Sequence, residues 1–202
     1  MNKFISTLIL IISTIAVKAQ TDKGTVFVGG GISYNSQTSK DPTNHSKHIN
    51  MDLLPTVGVF LGNNWSIGLT PQYSYARDSS FYKYDDYSSK SGHKSKLLGI
   101  GLSVRHYWMI IPQLALFPEL SGSYLFSVGD AGASAKSYNM NITPNMAFFP
   151  TKHIAITFGY GGLRYLHQTN KDTALGTTAS YNTFGFNVNQ GMILGVNYHF
   201  TN

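Results

Sequence analysis

The sequence predicts an all-β fold, a transmembrane eight-stranded antiparallel up-and-down β-barrel. Three observations lead to this fold class: apolar and polar residues alternate in eight segments, long polar connections alternate with short turns, and few charges are combined with many aromatic residues and glycines. A two-residue period indicates a β-strand whose two faces have different surroundings. An even number of strands with alternately short and long connections is typical of bacterial outer-membrane barrels.

The clearest segment is "FGFNVNQGMILGVNYHF", in which apolar side chains occupy nearly every even position and Gln190 is the exception. We expect this last strand to pair with the first near Val26 and Val28, so that the sheet has no free edge. No segment shows a sustained period of 3.6 residues, which argues against helices after the N-terminal segment. The eight predicted strands are Gly24–Tyr34, Met51–Leu61, Trp65–Ala76, Lys96–Trp108, Gln113–Val128, Ser137–Phe149, His153–Tyr165 and Phe184–Phe200.

The connections between these strands are alternately tight and long. "GNN" (62–64), "IIP" (110–112) and "PTK" (150–152) predict short turns. Polar loops are expected at 35–50, 77–94, 129–136 and 166–182. In an outer-membrane barrel the short turns face the periplasm and the long loops face the exterior.

The composition distinguishes a membrane barrel from a soluble one. Charged residues are 12% of the chain, roughly half the usual share, and aromatic residues are 13%. In a soluble barrel of the lipocalin kind, the alternative, the apolar set would point inward. Aromatic residues at the strand ends favour the membrane, because such rings prefer its interface. They are Tyr34, Tyr75, Tyr124 and Tyr138 at the outer rim, and Trp65, Trp108, Phe148, Tyr198 and Phe200 at the inner rim.

The N-terminal stretch "MNKFISTLILIISTIAVKAQ" has the layout of a secretory signal, with a basic start, an apolar run and a small residue at Ala19. We expect cleavage after Ala19, which makes 1–19 the signal peptide and 20–202 the barrel domain of the cell outer membrane. A membrane anchor is the alternative, but the apolar run is only about fourteen residues, which is short for a bilayer. The net charge of +6 is too small and scattered for nucleic-acid binding, and the absence of cysteine excludes a thiolate metal site.

Three hairpin patterns resemble the small outer membrane protein beta-barrel domain family of Bacteroidetes, whose members are often described as porin-like. They are "LLPTVGVFLGNNWSIGLTPQYSYARD" (53–78), "LSVRHYWMIIPQLALFPELSGSY" (102–124) and "ITPNMAFFPTKHIAITFGYGGL" (142–163). The resemblance implies an outer-membrane location more firmly than a function. It also implies that Gly195, Tyr198 and Phe200 form the signal read by the barrel-assembly machinery, although two residues follow Phe200 here.

The interior of an eight-stranded barrel is only wide enough to be filled by side chains, so a wide channel is not expected. Arg105 and Glu119 have the inward parity of neighbouring strands, and we predict a lumenal salt bridge, because an unpaired buried charge is very costly. We interpret it as a structural plug, and a gate or a catalytic carboxylate is the alternative. The other predicted inward residues are polar: Thr56, Thr70, Gln72, Ser74, Ser103, Ser121, Ser123, Asn139, Asn141, Asn187, Asn189 and His199. Four prolines fall on the lipid-facing parity, where we expect bulges or bends: Pro55, Pro71, Pro118 and Pro144.

No catalytic residue, metal site or cofactor is predicted. Asp41, His45 and His48 lie close in sequence, but without a rigid third ligand they indicate a solvated loop. No serine, histidine and aspartate are expected to come together. An enzyme of this fold would need a carboxylate and a histidine that meet at the outer rim.

The predicted loop from Arg77 to Lys96 is the candidate contact surface, because tyrosines, lysines and aspartates are interleaved in it. We expect a structural or surface-interaction role without catalysis for a monomer that contacts outer-membrane lipid and an extracellular protein or glycan. Lysines held near lipopolysaccharide phosphates are an alternative for this loop. A porin-like transporter or narrow channel for small solutes is the alternative function, which conductance or a lateral gap between strands would reveal. The candidate contact residues are Tyr82, Lys83, Tyr84, Tyr87, Lys90 and Lys94.

Overall fold

A computed structural model describes residues 21–200 except 42, 63, 85–86, 130–132 and 173–175. The predicted signal peptide lies outside the described residues, and for 83, 84, 87, 133 and 187–193 only the backbone is described. The strands are β1 (Val26–Lys40), β2 (Asn44–Gly62), β3 (Trp65–Tyr84), β4 (Tyr87–His106), β5 (Trp108–Ile111), β6 (Leu114–Ser127), β7 (Ala133–Phe148), β8 (Ile154–Asp172) and β9 (Thr177–Phe200).

The strands form a closed eight-stranded antiparallel barrel, as predicted. β4 and β5 are consecutive parts of one strand that is interrupted at Tyr107, and both pair with β6. All other neighbours in sequence also pair in the sheet, and β1 pairs with β9. The predicted closure is confirmed, because Val26 lies opposite Phe200 and Val28 lies opposite Tyr198.

Side chains alternate between a buried inward face and an exposed outward face. Val26 and Val28 are 37% and 41% exposed, whereas Phe27 between them is 1% exposed. The same alternation holds in β2 around Thr56, where the flanking Pro55 and Val57 are exposed. The apolar set of the sequence pattern is therefore the outward set, which is the reverse of a soluble barrel.

Three of the long loops predicted from the sequence are strands in the structure, so this part of the prediction is wrong. β1 and β2 continue to Lys40 and Asn44, and β3 and β4 continue to Tyr84 and Tyr87. β8 and β9 likewise continue to Asp172 and Thr177. The alternation fades in these segments because both faces of the extended hairpins contact water, while backbone pairing continues without a hydrophobic pattern. We call the end with these hairpins the rim and the end with the short turns the base.

The four in-strand prolines are accommodated in three ways. Pro144 lies at a register shift between β7 and β8, where Gly161 and Gly162 have φ values of 63° and 129°, as a bulge requires. Pro118 lies opposite Pro144 and keeps its pairing with β7. At Pro55 and Pro71 no bulge is present.

Pro55 and Pro71 lie opposite each other without a change of register. β2 and β3 pair at Leu53 with Tyr73 and again at Val57 with Leu69, and the positions between them are unpaired. Neither proline can donate a backbone hydrogen bond, so two opposed prolines open a short gap in the ladder instead of shifting it.

A second irregularity explains the position of Gln190. Between Tyr160–Met192 and Gly162–Asn187, four residues of β9 (188–191) face Gly161 alone in β8. Gln190 therefore lies within a bulge and interrupts the alternation without disturbing the strands on either side.

The seam between β1 and β9 is short. Their pairing covers Val26–Gly30 only, although both strands continue toward the rim. We call the opening beyond Gly30 and Val196 the β1–β9 split. The four most exposed large hydrophobic residues of the described chain border it: Ile32 (71%), Tyr34 (67%), Phe184 (73%) and Phe186 (68%).

Candidate functional site: the lumen and the rim hollow

The base of the lumen is filled by aromatic side chains. The rings of Tyr107 and Phe117 stack at 4.4 Å, and those of Phe27 and Phe60 meet edge to face at 5.7 Å. His199 packs against the rings of Phe27, Phe60 and Phe149. We call this group the base plug: Phe27, Phe60, Tyr107, Phe117, Phe149 and His199, each at most 2% exposed.

The base plug corrects the prediction of a uniformly polar core. Phe27, Phe60 and Phe117 all have inward parity, so the two-residue period of the sequence is sufficient to assign these rings to the lumen. Glycine makes room for these rings: a Cβ atom on Gly58 would lie 2.2 Å from Cζ of Phe27. The base plug thus blocks the lumen on the side of the short turns.

The predicted ion pair lies directly on the base plug. Nε of Arg105 is 2.5 Å from Oε2 of Glu119, and the two residues are opposite each other in β4 and β6. The side chains are 11% and 23% exposed. The guanidinium group also lies 5.2 Å from the ring centre of Phe27 and 5.7 Å from that of Phe117, which are cation–π contacts. Pairing, burial and ring contacts all favour the structural interpretation.

Hydroxyl groups and one carboxylate occupy the middle of the lumen. The hydroxyls of Thr56 and Thr70 are 2.8 Å apart. Asp52 accepts a hydrogen bond of 2.7 Å from Ser33 and another of 2.6 Å from Ser74. Sequence reasoning missed Asp52, although its even position in β2 gives it inward parity.

A polar hollow of about 530 Å³ lies at the rim, on the lumen side of β1–β4. Two cross-strand rows form most of its lining, because strand register aligns residues of the four strands, and Lys47, Ser79 and Gly92 between these rows complete it. We call it the rim hollow. Its first row is Gln37, His48, Asp78 and His93, and its second row is Ser39, Ser46, Ser80 and Ser91.

The rim hollow brings together a histidine and a carboxylate. Nδ1 of His48 contacts Oδ1 of Asp78, and both side chains are about half exposed. Serines line the same hollow, so the three residue types lie nearer to one another than the sequence predicted. A histidine held by a carboxylate can accept a proton from a hydroxyl group. Ser80 and Ser91, however, bond each other at 2.8 Å.

His45 and His48, which the sequence assigned to a solvated loop, lie on β2 in the structure. His45 and His48 are three residues apart on one strand, so their side chains point to opposite faces. Within the described part of the chain, no three histidine or acidic side chains are grouped to hold a metal ion.

The candidate contact residues lie on a hairpin and not in a loop. Tyr82 is in β3, Lys90 and Lys94 are in β4, and Phe81 lies opposite Lys90. Lys83, Tyr84 and Tyr87 belong to the same hairpin by their backbone, and their side chains lie outside what the structure describes. Strand geometry places Tyr82 on one face of the hairpin and Lys90 and Lys94 on the other.

The residues of the expected assembly signal differ in orientation. Tyr198 and Phe200 point outward, and their ring centres are 5.0 Å apart. Gly195 faces the lumen, where a Cβ atom would lie 2.6 Å from Oγ1 of Thr157. Packing inside the barrel alone is therefore a sufficient reason for glycine at this position.

No protein-family model matches the chain, and no curated protein is significantly similar to it. Among the described residues, no helix is long and apolar enough to cross a membrane.

Proposed function

We propose that this chain is a small, eight-stranded integral outer-membrane β-barrel, and that it has a structural or surface-interaction role without catalysis. One observation carries the proposal: below the rim hairpins the outward face of the closed barrel is an exposed apolar belt, while most polar and charged side chains at the same level point into the lumen. Exposed apolar patches of this extent are unfavourable in water and are suited to lipid.

The location is tested by refolding the mature chain into phospholipid vesicles. In SDS gel electrophoresis, an unheated sample of a membrane barrel is expected to migrate as a compact species, and a boiled sample is expected to migrate as the unfolded chain. The vesicle-inserted protein is also expected to resist protease. A chain that stays in the aqueous phase and is degraded would contradict the proposal.

The base plug supports a lumen that does not conduct ions. In planar bilayers the wild-type protein is expected to give no discrete conductance steps. Phe60→Ala combined with Phe117→Ala, which removes two rings from the base plug, is expected to produce them. Conductance by the wild-type protein itself would favour the channel alternative.

The interaction role is assigned to the rim hollow, since its hydroxyl, imidazole, amide and carboxylate groups are accessible from the exterior. Such a lining is suited to a glycan or a polar peptide, which could exchange its water hydrogen bonds for protein ones. Binding of the folded protein to a glycan array measures this role. His48→Ala with Asp78→Asn is expected to abolish the signal, and Lys136→Gln on the outward face is the control. If the double variant binds the glycan as well as the wild type does, the binding site lies outside the rim hollow.

Transport of small or apolar solutes is the second candidate, and the β1–β9 split is the observation that favours it. A lateral gap would allow a solute to leave the lumen between strands. Continued register would place Ile32 opposite Leu194, so cysteines at these positions should lock the split after oxidation. Vesicle uptake of an apolar dye that stops on oxidation would support transport, and uptake at the rate of empty vesicles would exclude it.

A further inference from the structure

Five basic residues lie together on the outward face of the β2–β3–β4 sheet above the barrel. We call this group the outer cation face. Strand register places Arg77 directly opposite Lys94. Lys96 lies one outward-facing row nearer the base, and Lys47 and Lys90 lie one and two such rows nearer the rim. All are exposed, and the full set is Lys47, Arg77, Lys90, Lys94 and Lys96.

The acidic residues of these strands are all on the other face. Asp52 and Asp78 have inward parity, and they are engaged by the serines of the lumen and by His48. Along the described parts of β1–β4 no carboxylate shares the outward face with the cations. Like charges directly opposite each other destabilise a strand pair. The opposition of Arg77 and Lys94 is therefore unfavourable unless an external anion lies between them.

The outer cation face begins where the apolar belt ends. Lys96 lies opposite Tyr75, which in turn lies opposite Met51, an exposed apolar residue. The next row toward the rim contains Arg77 and Lys94. In a barrel embedded up to Tyr75, this row is at the level of the lipid headgroups on the side of the long hairpins.

We propose that the outer cation face binds the phosphate groups of the lipopolysaccharide lipid in the outer leaflet, with Arg77 and Lys94 as the central pair. The guanidinium group of Arg77 can bind a phosphate through two parallel hydrogen bonds, and Lys94 supplies a second charge from the adjacent strand. Anchoring of this kind rests on the proposed membrane location and adds a specific lipid to it.

The test measures lipid binding by the folded barrel in uncharged detergent micelles, by native mass spectrometry. The probes are lipid A with two phosphates, the same lipid after dephosphorylation, and phosphatidylglycerol. We expect Arg77→Gln with Lys94→Gln to weaken binding of phosphorylated lipid A by about 25-fold, on the basis of roughly fivefold for each cation near an anionic surface. Lys136→Gln with Lys171→Gln is the matched control, since these lysines lie on distant strands, and it should change binding less than twofold.

A second variant separates binding from folding. Arg77→Glu creates an ion pair opposite Lys94, so it is expected to preserve or raise the melting temperature while binding is lost. The inference would be overturned if the control variant lost as much lipid A binding as the Arg77→Gln, Lys94→Gln variant. It would also be overturned if the wild-type protein bound dephosphorylated lipid A or phosphatidylglycerol as tightly as phosphorylated lipid A. Failure of the protein to insert into vesicles would instead refute the proposed membrane location. The two results can be distinguished, because the micelle assay measures lipid A binding without requiring insertion into vesicles.

Discussion

At the scale of single residues, two-residue parity was sufficient to predict a contact between positions distant in sequence. Arg105 and Glu119 were assigned to the lumen by counting from the turn at the base, and the structure pairs them. The same counting would have placed Phe27, Asp52 and Asp78 inside. The partner of Asp78 was beyond prediction, because His48 lies where β2 continues past the apolar pattern. The partners of Asp52, in contrast, lie within the predicted first and third strands.

Glu119→Gln is expected to lower the free energy of unfolding by about 3 kcal/mol, because it leaves Arg105 largely buried without its counter-charge. Urea unfolding in lipid vesicles measures the change. Arg105→Met combined with Glu119→Leu removes both charges and should recover most of the loss. A Glu119→Gln protein as stable as the wild type would show that the pair is not structural.

Gly58→Ala is expected to destabilise the barrel by roughly 2 kcal/mol, because the new methyl group overlaps the ring of Phe27 and forces the base plug to shift. Gly122→Ala is the matched control, since the nearest atom to its Cβ position is 3.9 Å away. Thermal melting in detergent compares the two variants. Equal melting temperatures would mean that the base plug tolerates the displacement.

At the scale of elements, the sequence predicted the existence and order of all eight strands but not their length toward the rim. Hydrophobic alternation reports a difference between the surroundings of two faces, and it disappears where both faces contact water. The bulge in β8 was also hidden, since Gly161 and Gly162 resemble any other glycines of the chain. Only the pairing of β8 with β7 and β9 shows that outward-facing residues have even numbers before these glycines and odd numbers after them.

The extension of β3 and β4 can be tested with a disulfide bond. Ser80 and Ser91 are opposite each other, and the chain has no cysteine of its own. Ser80→Cys with Ser91→Cys is expected to crosslink almost completely under mild oxidation. Ser80→Cys with Ser88→Cys should react slowly, because Ser88 points to the other face. Similar rates for both pairs would indicate a mobile loop, as the sequence pattern had predicted.

At the scale of the whole molecule, closure into a barrel followed from the sequence, but the length of the seam did not. Alternation in the first and last strands predicts that they pair, and it carries no information on where pairing stops. Gly30, with φ of 136°, bends β1 at the last paired position. Beyond it, Gly31 and Gly185 have open space where a side chain would be.

Hydrogen exchange is expected to differ between strand segments at similar depth. Amides of Ile32–Tyr34 have a partner strand on one side only, whereas those of Tyr73–Tyr75 lie between two paired strands. Mass spectrometry of the protein in lipid vesicles should show faster exchange for the first group. Equal protection of both segments would mean that the β1–β9 split is closed in the membrane.

The short seam also determines how the chain can reach its final form. Seven of the eight strand interfaces join consecutive strands and form through local hairpins, whereas the seam joins residues almost a full chain length apart. Contacts of such long range form slowly, because the intervening chain must be ordered before they bring any stabilisation. The sheet should therefore exist first as a curled, open ribbon with two free edges. Five residue pairs then complete the circle, and the rate of that last step should set the pace of barrel folding.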